Sequence, residues 1–183
     1  MSDVRESLSA TRELAWRRLL AAPNERTCPF RTPALCTNGT NGPEARLLVL
    51  RAVKDNPLTL VFHTDAASGK VTQLKTDPRA AFLFWDPIAG LQVRIRATIA
   101  QRPGTAEEWS KIPQTAQQAY GGTPPPGTVM AGPRDHDPAP DPERHMILTA
   151  QVIDLETLWI DRLPHVRASF NASDGFQGQW LAP

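Results

Sequence analysis

Apolar residues recur at two different periods along the chain, and each period predicts one kind of element. From Val4 to Ala22 they fall at helical spacing, with Arg, Glu and Thr on the opposite face. This pattern predicts an amphipathic N-terminal helix within residues 1–22. From Leu91 to Ile99 apolar residues instead alternate strictly with polar ones. Such alternation is typical of a strand with one buried and one polar face.

Further segments rich in β-branched and aromatic residues are separated by turn signals. The dense turn signal at Asn38–Gly42 predicts a hairpin between a strand over Phe30–Thr37 and the apolar run Leu47–Leu50. Short helices are predicted at Ser68–Lys75, with Ser68 near the cap, and after the capping-box pair Thr105 and Glu108. The other predicted strands are Leu58–His63, Ala80–Trp85, His145–Leu155, Leu158–Ile160, Val166–Phe170 and Phe176–Leu181.

These elements predict a mainly β (α+β) fold in a single domain over residues 1–183. Six to eight antiparallel strands with two or three flanking helices must hide their apolar face by closing into a barrel or a sandwich, and we expect a small barrel. Residues 121–144 hold seven of the eighteen prolines and almost no aliphatic side chains. We expect an irregular Pro-rich loop there.

Charge and composition limit the kinds of binding partner that we expect. The net charge is +1, which gives no overall field for binding nucleic acid. No apolar run approaches the roughly 20 residues that span a bilayer, and the N-terminus is charged where a signal peptide is apolar, so we expect no membrane partner and a cytoplasmic location. The two cysteines, Cys28 and Cys36, are expected to be reduced thiols without a metal.

Two stretches have the residue types that bind a phosphate group. Arg46 and Arg51 bracket a buried strand, and guanidinium groups bind phosphate in a bidentate manner. Their alternative role is solvation of the strand ends. Because their positions differ in parity, a regular strand points them to opposite faces. One ligand then meets both only near a strand end, a bulge or a subunit interface.

The second stretch runs from His63 to Lys70, where a predicted strand leads into a helix. Free backbone N–H groups and the helix dipole favour an anion at such a junction. Thr64, Ser68 and Lys70 have the side chains to complete the site. The alternative is an ordinary strand-to-helix connection with a serine cap.

The sequence gives weaker support to the other candidate site residues. Gln92 lies on the polar side of its strand, where it is either solvated or bonded to a heterocycle. His165 is either a proton relay or a hydrogen-bonding residue at the start of a strand. An acidic and histidine-containing cluster near the end of the Pro-rich loop is interpreted as a solvated loop rather than a metal site. Its members are Asp135, His136, Asp137, Asp141, Glu143 and His145.

Several of these motifs together resemble the FMN-binding core of pyridoxamine 5′-phosphate oxidase and its relatives. The similarity extends from about Phe30 to the closing Trp180-Leu181-Ala182-Pro183, and it is closest to the bacterial oxidase-related subgroup. The motifs, in matching order and spacing, are Arg46-Leu47-Leu48-Val49-Leu50-Arg51, Phe62-His63-Thr64-Asp65, Ser68-Gly69-Lys70, Asp77-Pro78-Arg79-Ala80, Leu83-Phe84-Trp85 and Leu91-Gln92-Val93-Arg94.

The resemblance implies a split β-barrel homodimer with one FMN in each cleft between subunits and a small-molecule substrate. His165 becomes the best candidate for contact with that substrate. The residues that the resemblance assigns to FMN are Arg46, Leu47, Leu48, Val49, Leu50, Arg51, His63, Thr64, Ser68, Gly69, Lys70, Gln92, Trp159 and Arg167.

Departures from the family pattern limit what the resemblance implies about substrate. The family has Tyr at His63, Arg at Gly69 and Lys at Arg51. The oxidase holds its vitamin phosphate with a Tyr and an Arg after the long strand, but residues 109–120 contain no arginine. Leu163 also replaces an arginine. These losses argue against oxidation of a phosphorylated vitamin B6.

Three hypotheses therefore follow from the sequence. The first is an FMN-dependent oxidoreductase acting on an undefined small molecule. The second is a flavin-binding carrier or sensor without turnover. The third is pyridoxamine 5′-phosphate oxidase activity with a rearranged phosphate site.

Overall fold

The computed structural model describes residues 4–161 and 163–183, and its fold is a nine-stranded antiparallel sheet with a few short helices. The expected mainly β class is confirmed, with one strand more than the predicted range. The strands are β1 (Ala34–Gly39), β2 (Gly42–Leu47), β3 (Leu50–Lys54), β4 (Thr59–Asp65), β5 (Arg79–Asp86), β6 (Leu91–Pro103), β7 (His145–Trp159), β8 (Val166–Asn171) and β9 (Gln179–Leu181).

The connection between β2 and β3 makes the sheet curl. The strand order is β2-β1-β5-β6-β7-β4-β3, so β2 and β3 lie at opposite ends of it. Only Leu48 and Val49 separate the two strands along the chain. The sheet must therefore bend round until these edges meet at a seam, which is the geometry of a split barrel. Buried Leu50, Phe62, Phe82 and Ile95 belong to the single apolar core inside it.

Strand β7 pairs with two different strands along one of its edges. Its first half pairs with β4, from Asp65 opposite His145 to Thr59 opposite Gln151. Its second half pairs with β8 over Asp154–Trp159, and β9 adds to β8. The other edge pairs with β6 along its full length, with one shift of register at Arg96/Ala97. β7 thus links both ends of the barrel.

Several strand boundaries differ from the prediction. The first strand begins at Ala34 rather than Phe30, because Pro29–Arg31 forms a 3-10 turn with Phe30 buried in the core. The run Leu47–Leu50 divides between β2 and β3. The two predicted segments after His145 form the single strand β7, and the last strand shortens to Gln179–Leu181.

In the described part of the chain, four α-helices flank the sheet, one more than the predicted range: α1 (Leu8–Ala21), α2 (Gly69–Thr76), α3 (Ala106–Ser110) and α4 (Gln114–Gln117). α1 is capped by Ser7 and follows a 3-10 turn over Val4–Glu6. The predicted capping box of Thr105 and Glu108 is present at α3. Ser68 is the N-cap residue of α2, but its side chain makes no capping hydrogen bond.

Residues 121–144 form the irregular loop that the sequence predicts. Within it, Thr123 and Asp137 form an isolated β-bridge, and Pro142–Arg144 makes a 3-10 turn. Among the described helices none has the length and apolarity to cross a membrane. Cys28 and Cys36 are both free thiols.

Candidate functional site

Two hydroxyls and a lysine meet where β4 leads into α2. Thr64 and Ser68 are buried, and their Oγ atoms lie 3.2 Å apart. Lys70 donates a hydrogen bond from Nζ to Thr64 Oγ1 at 3.1 Å. The Ser68 hydroxyl thus points to Thr64 instead of capping its own helix. This arrangement leaves hydroxyl and ammonium donors beside a helix N-terminus, where an anion is favoured.

Arg46 joins this group from the end of β2. Its guanidinium donates to Gln73 Oε1 at 3.1 Å and to Glu44 Oε2 at 2.8 Å, and it also contacts the Thr37 hydroxyl. Burial lowers the pKa of Lys70, and the neighbouring charge of Arg46 lowers it further. Two cations are therefore held close together, mainly by neutral partners. We call Arg46, Thr64, Ser68 and Lys70 the anion cradle.

The sequence did not identify Thr37 and Gln73, which orient Arg46. Thr37 Oγ1 donates to Gln73 Oε1 at 2.7 Å, so the amide oxygen serves both Thr37 and Arg46. Their polar positions in β1 and α2 give no signal in the sequence. Only the packing of α2 on β1 brings them together.

Arg51 lies across the seam from Arg46, at a shift of register between Leu50 and Ala52. The parity argument assumed a single strand, and it no longer applies because Arg46 belongs to β2 and Arg51 to β3. The Arg51 Nε is buried without a hydrogen-bond partner among the described residues. Arg51 lines a cleft of about 400 Å³ with His63 and Ile112, which lies just beyond α3.

His63 belongs to an aromatic cluster beside this cleft. Its ring packs edge-on against His145, with the centroids 4.7 Å apart, and Trp109 and Tyr120 contact His145 in turn. Burial is the main cause that lowers the pKa of His63 to about 4, with added contributions from His145 and Arg51. His63 is therefore neutral at pH 7. His145, which the sequence grouped with the acidic loop, is fully buried here.

The other residues of the Arg46–Arg51 stretch differ in exposure. Leu48 and Leu50 are buried in the core, whereas the Leu47 side chain is 70% exposed. Val49 is half-buried. Gly69 opens α2, and a Cβ placed on it would meet nothing within 4 Å. The place of the family's arginine at this position is thus open space.

A second group of predicted residues lies at the far end of β6, β7 and β8. Gln92 pairs with Leu158, which pairs in turn with Arg167, so Gln92 and Arg167 belong to one row across the sheet. Arg167 donates to Glu156 Oε2 at 2.9 Å, while its Nε is buried without a partner in the part of the chain described.

Trp159 ends β7 beside this row, but it pairs with Leu91 and Val166, so its side chain lies on the core face of the sheet, opposite to Gln92 and Arg167. It is 4% exposed, and its indole Nε1 has no hydrogen-bond acceptor among residues 4–161 and 163–183. The guanidinium of Arg5 lies 4.7 Å from the centre of the ring. The N-terminal 3-10 turn therefore covers Trp159.

His165, the predicted catalytic residue, stands just before β8 and is half-buried. Its side chain makes no hydrogen bond or ion pair with the rest of the described chain. Leu163, nearby, is 82% exposed. A catalytic role for His165 therefore stays a prediction. No group of three or more metal-ligating side chains occurs among the described residues, including those of the acidic loop.

The anion cradle and the second group are far apart within the chain. Thr64 pairs with Met146 near the start of β7, whereas Trp159 ends the strand. At roughly 3.3 Å per residue, the thirteen residue steps from Met146 to Trp159 span about 43 Å along the strand. The predicted residues therefore fall into two separate groups within the chain. We call the anion cradle and the group of Gln92, Trp159 and Arg167 the two half-sites.

Both half-sites have the donors that a flavin mononucleotide requires. The cradle offers hydroxyls and cations to a phosphate. In the second group, the Nε of Arg167 is a buried donor without an acceptor among the described residues, and so is the Nε1 of Trp159 on the other face of the sheet. Buried N–H groups normally have a partner, so an acceptor that the described residues do not supply fits these donors.

Comparison with known proteins identifies relatives of this chain. A curated relative, the pyridoxine/pyridoxamine 5′-phosphate oxidase of Salinibacter ruber, is 34% identical over 94 residues. The matched segment is 49% of this chain and 42% of the relative, so the chain spans less than half the length of that protein.

Solved structures share the fold over nearly the whole chain. A pyridoxamine 5′-phosphate oxidase-related, FMN binding protein from Nostoc punctiforme has a TM-score of 0.73 at 22% identity, covering 94% of this chain and 96% of its own. PhzG from Burkholderia lata, solved with tetrahydrophenazine-1-carboxylic acid, has a TM-score of 0.70 at 17% identity, covering 94% and 92%.

The family model described as pyridoxamine 5′-phosphate oxidase matches residues 29–153. This match extends from the 3-10 turn before β1 into β7, and it includes the whole anion cradle. The chain belongs to the pyridoxamine 5′-phosphate oxidase family.

Proposed function

We propose that this protein is an FMN-dependent oxidoreductase that works as a homodimer, with each FMN held between the anion cradle of one protomer and the second half-site of its partner. The observation that carries the proposal is the division of the predicted FMN residues into two half-sites at opposite ends of β7. Because one mononucleotide cannot reach both in one chain, a second copy completes each site.

The phosphate end of FMN fits the anion cradle. A phosphate dianion requires cations and hydroxyl donors, and Arg46, Lys70, Thr64 and Ser68 supply both. Arg46 has Glu44 as its carboxylate partner, and the Glu44 side chain is 53% exposed. An exposed pair of this kind is weak, so the guanidinium remains available to a stronger acceptor.

The ring end fits the second half-site and the cleft at Arg51. Gln92, Trp159 and Arg167 would bind and orient the ring system from the partner, and Arg51 would bind from the first protomer. FMN, when bound, supplies the electron-transfer chemistry. The protein's part is to fix the orientation of the ring and to exclude water around it.

His63 faces the same cleft as Arg51. Because its low pKa keeps the imidazole neutral at pH 7, one ring nitrogen can accept a hydrogen bond from a bound donor. His165 is the corresponding candidate at the second half-site. The pair gives the site one histidine from each protomer.

The outer face of the sheet supplies a surface for the second copy. Ala34 pairs with Leu47 on one side and with Leu83 on the other, so these three residues form an apolar row. Leu47, Leu83 and Trp85 are 70%, 38% and 41% exposed. An exposed apolar area on adjacent strands is typical of an interaction surface.

The experiment that tests the proposed function is a visible spectrum of freshly purified protein followed by anaerobic titration with a reduced nicotinamide. We expect a flavin spectrum that bleaches on reduction and returns with oxygen. A protein that stays colourless in excess FMN contradicts the proposal.

A flavin carrier or sensor is the second candidate, and one observation favours it. Helices α3 and α4 contain no arginine, and Leu163 is exposed where the oxidase has a cation. A bound flavin that no electron donor bleaches would support this candidate. Formation of aldehyde and peroxide from pyridoxine phosphate and oxygen would instead support the oxidase activity itself.

A further inference from the structure

Asp65 fixes the turn that carries half of the anion cradle. It ends β4 next to Thr64 and is 6% exposed. Its Oδ1 accepts a hydrogen bond from the backbone N–H of Ala67 at 2.7 Å, and its carbonyl oxygen accepts from the N–H of Ser68 at 3.0 Å. These bonds set the positions of both cradle hydroxyls.

The same carboxylate joins the two ends of the Pro-rich loop. Its Oδ2 accepts from the N–H of Gly121 at 2.8 Å. Its Oδ1 accepts from Nε and Nη2 of Arg144 at 2.9 and 2.6 Å. The backbone N–H of Ala66 donates to the Arg144 carbonyl at 2.7 Å. The base of the loop is therefore attached directly to the cradle.

The charge of Asp65 reaches the cradle. It raises the pKa of Lys70, against the larger lowering effects of burial and Arg46. A carboxylate at this place stabilises the lysine but repels a phosphate dianion. Arg144 is 21% exposed and forms a close ion pair with this buried carboxylate. Removing one partner of such a pair leaves an uncompensated charge with a large local effect.

We propose that Arg144 is a positioning residue for the cofactor phosphate: it compensates the charge of Asp65, so that this carboxylate can hold the cradle turn and the loop base without repelling the phosphate. The inference rests on the proposed function, since it requires that the cradle binds the phosphate of FMN. It adds a residue outside the matched FMN motifs and links the Pro-rich loop to the cofactor site.

The experiment compares the dissociation constants of FMN and riboflavin in the same variants. Riboflavin has the same ring and ribityl chain but no phosphate. The ratio of the FMN affinity to the riboflavin affinity, called the affinity ratio below, therefore isolates the contribution of the phosphate. A general disturbance of structure weakens both ligands and leaves the ratio unchanged. A change of charge at the cradle alters the ratio.

Three variants have distinct expected results. Arg144→Met should weaken FMN binding by about tenfold, while the riboflavin affinity changes by less than about threefold. The reason is that the uncompensated charge of Asp65 acts on the phosphate alone. Asp65→Asn should leave the affinity ratio equal to the wild-type value or higher. The double variant should return to within about threefold of wild type, since no net charge remains. Arg26→Met removes an exposed arginine and serves as the control for net charge.

The contradicting results are equally distinct. If Arg144→Met weakens the binding of FMN and riboflavin equally, the Asp65–Arg144 ion pair has a structural role only. That result overturns the inference. Unchanged FMN affinity in that variant does the same. If Arg144→Met does not fold, Asp65→Asn tests the inference instead. An affinity ratio below the wild-type value in that variant contradicts charge compensation. Wild-type protein that binds neither flavin overturns the proposed function instead, and this inference with it.

Discussion

Lys70 donates a hydrogen bond from Nζ to the Thr64 hydroxyl at 3.1 Å and has no ion pair among the described residues. A half-buried ammonium group normally has a carboxylate beside it. Here the charge of Asp65 raises the pKa of Lys70, but burial and the nearby charge of Arg46 lower it by more. This local excess of positive charge is the main physical reason to place a phosphate at the junction of β4 and α2.

The first prediction concerns these two cations. Lys70→Ala and Arg46→Ala should each weaken FMN binding by about 1.5 to 3 kcal/mol, the usual contribution of a hydrogen bond to a charged group. Titration of apoprotein by flavin fluorescence gives the affinities. Lys75→Ala on the same helix is exposed and should bind FMN as the wild type does. Unchanged affinity in both cradle variants contradicts the assignment.

The second prediction uses mixed dimers. Lys70→Ala damages the cradle and Arg167→Ala damages the other half-site, so each homodimer should bind FMN weakly. A heterodimer of the two has one site built from both intact halves. After random exchange of subunits, about a quarter of all sites should recover wild-type affinity. If the mixture binds no better than its two components, the half-sites do not belong to different protomers.

The third prediction restores a family residue. Gly69→Arg places a guanidinium in open space at the start of α2. FMN affinity should rise by about 1.5 kcal/mol or more if the added group reaches the phosphate. Gly69→Ala is the matched control, since it changes the backbone preference without adding charge. A rise that is equal in both variants would point to helix stability instead.

The fourth prediction is the pH dependence of stability. The pKa of His63 is about 4 in the folded chain and about 6.5 when unfolded, so the unfolded chain binds the proton more readily between these values. The contribution of neutral His63 to the free energy of unfolding is full above pH 6.5 and is lost as the pH falls towards 4. Urea unfolding across this range measures it.

His63→Gln should flatten that pH profile, because glutamine does not titrate there. The pKa of His145 is also lowered, mainly by burial, so part of the slope should remain in the variant. A wild-type stability that rises as the pH falls from 6.5 to 4 contradicts the assigned direction.

The sequence predicted most of the fold because local patterns determine it. The alternation from Leu91 to Ile99 lies within β6, and the capping box at Thr105 is formed. The division of Leu47–Leu50 between two strands could not be predicted, because it depends on which edges of the sheet meet. A short apolar run has the same pattern whether it is one strand or a bend between two.

The candidate site was predicted less completely. The resemblance identified Arg46, Thr64 and Lys70, and the structure brings them together. It assigned Trp159 to a site shared between two subunits, and within one chain the structure puts Trp159 at the opposite end of β7 from the cradle. Long-range pairs such as Asp65 with Arg144 have no signal in sequence spacing, because 79 residues separate them. Only the closed sheet brings them into contact.

The most direct test of the shared site is sedimentation of the FMN-loaded protein, followed both by the visible absorbance of the flavin and by the absorbance of the protein. We predict that all bound flavin sediments with a dimer, at one flavin per chain, and that dilution into monomers releases it. Flavin that sediments with a stable monomer contradicts the account.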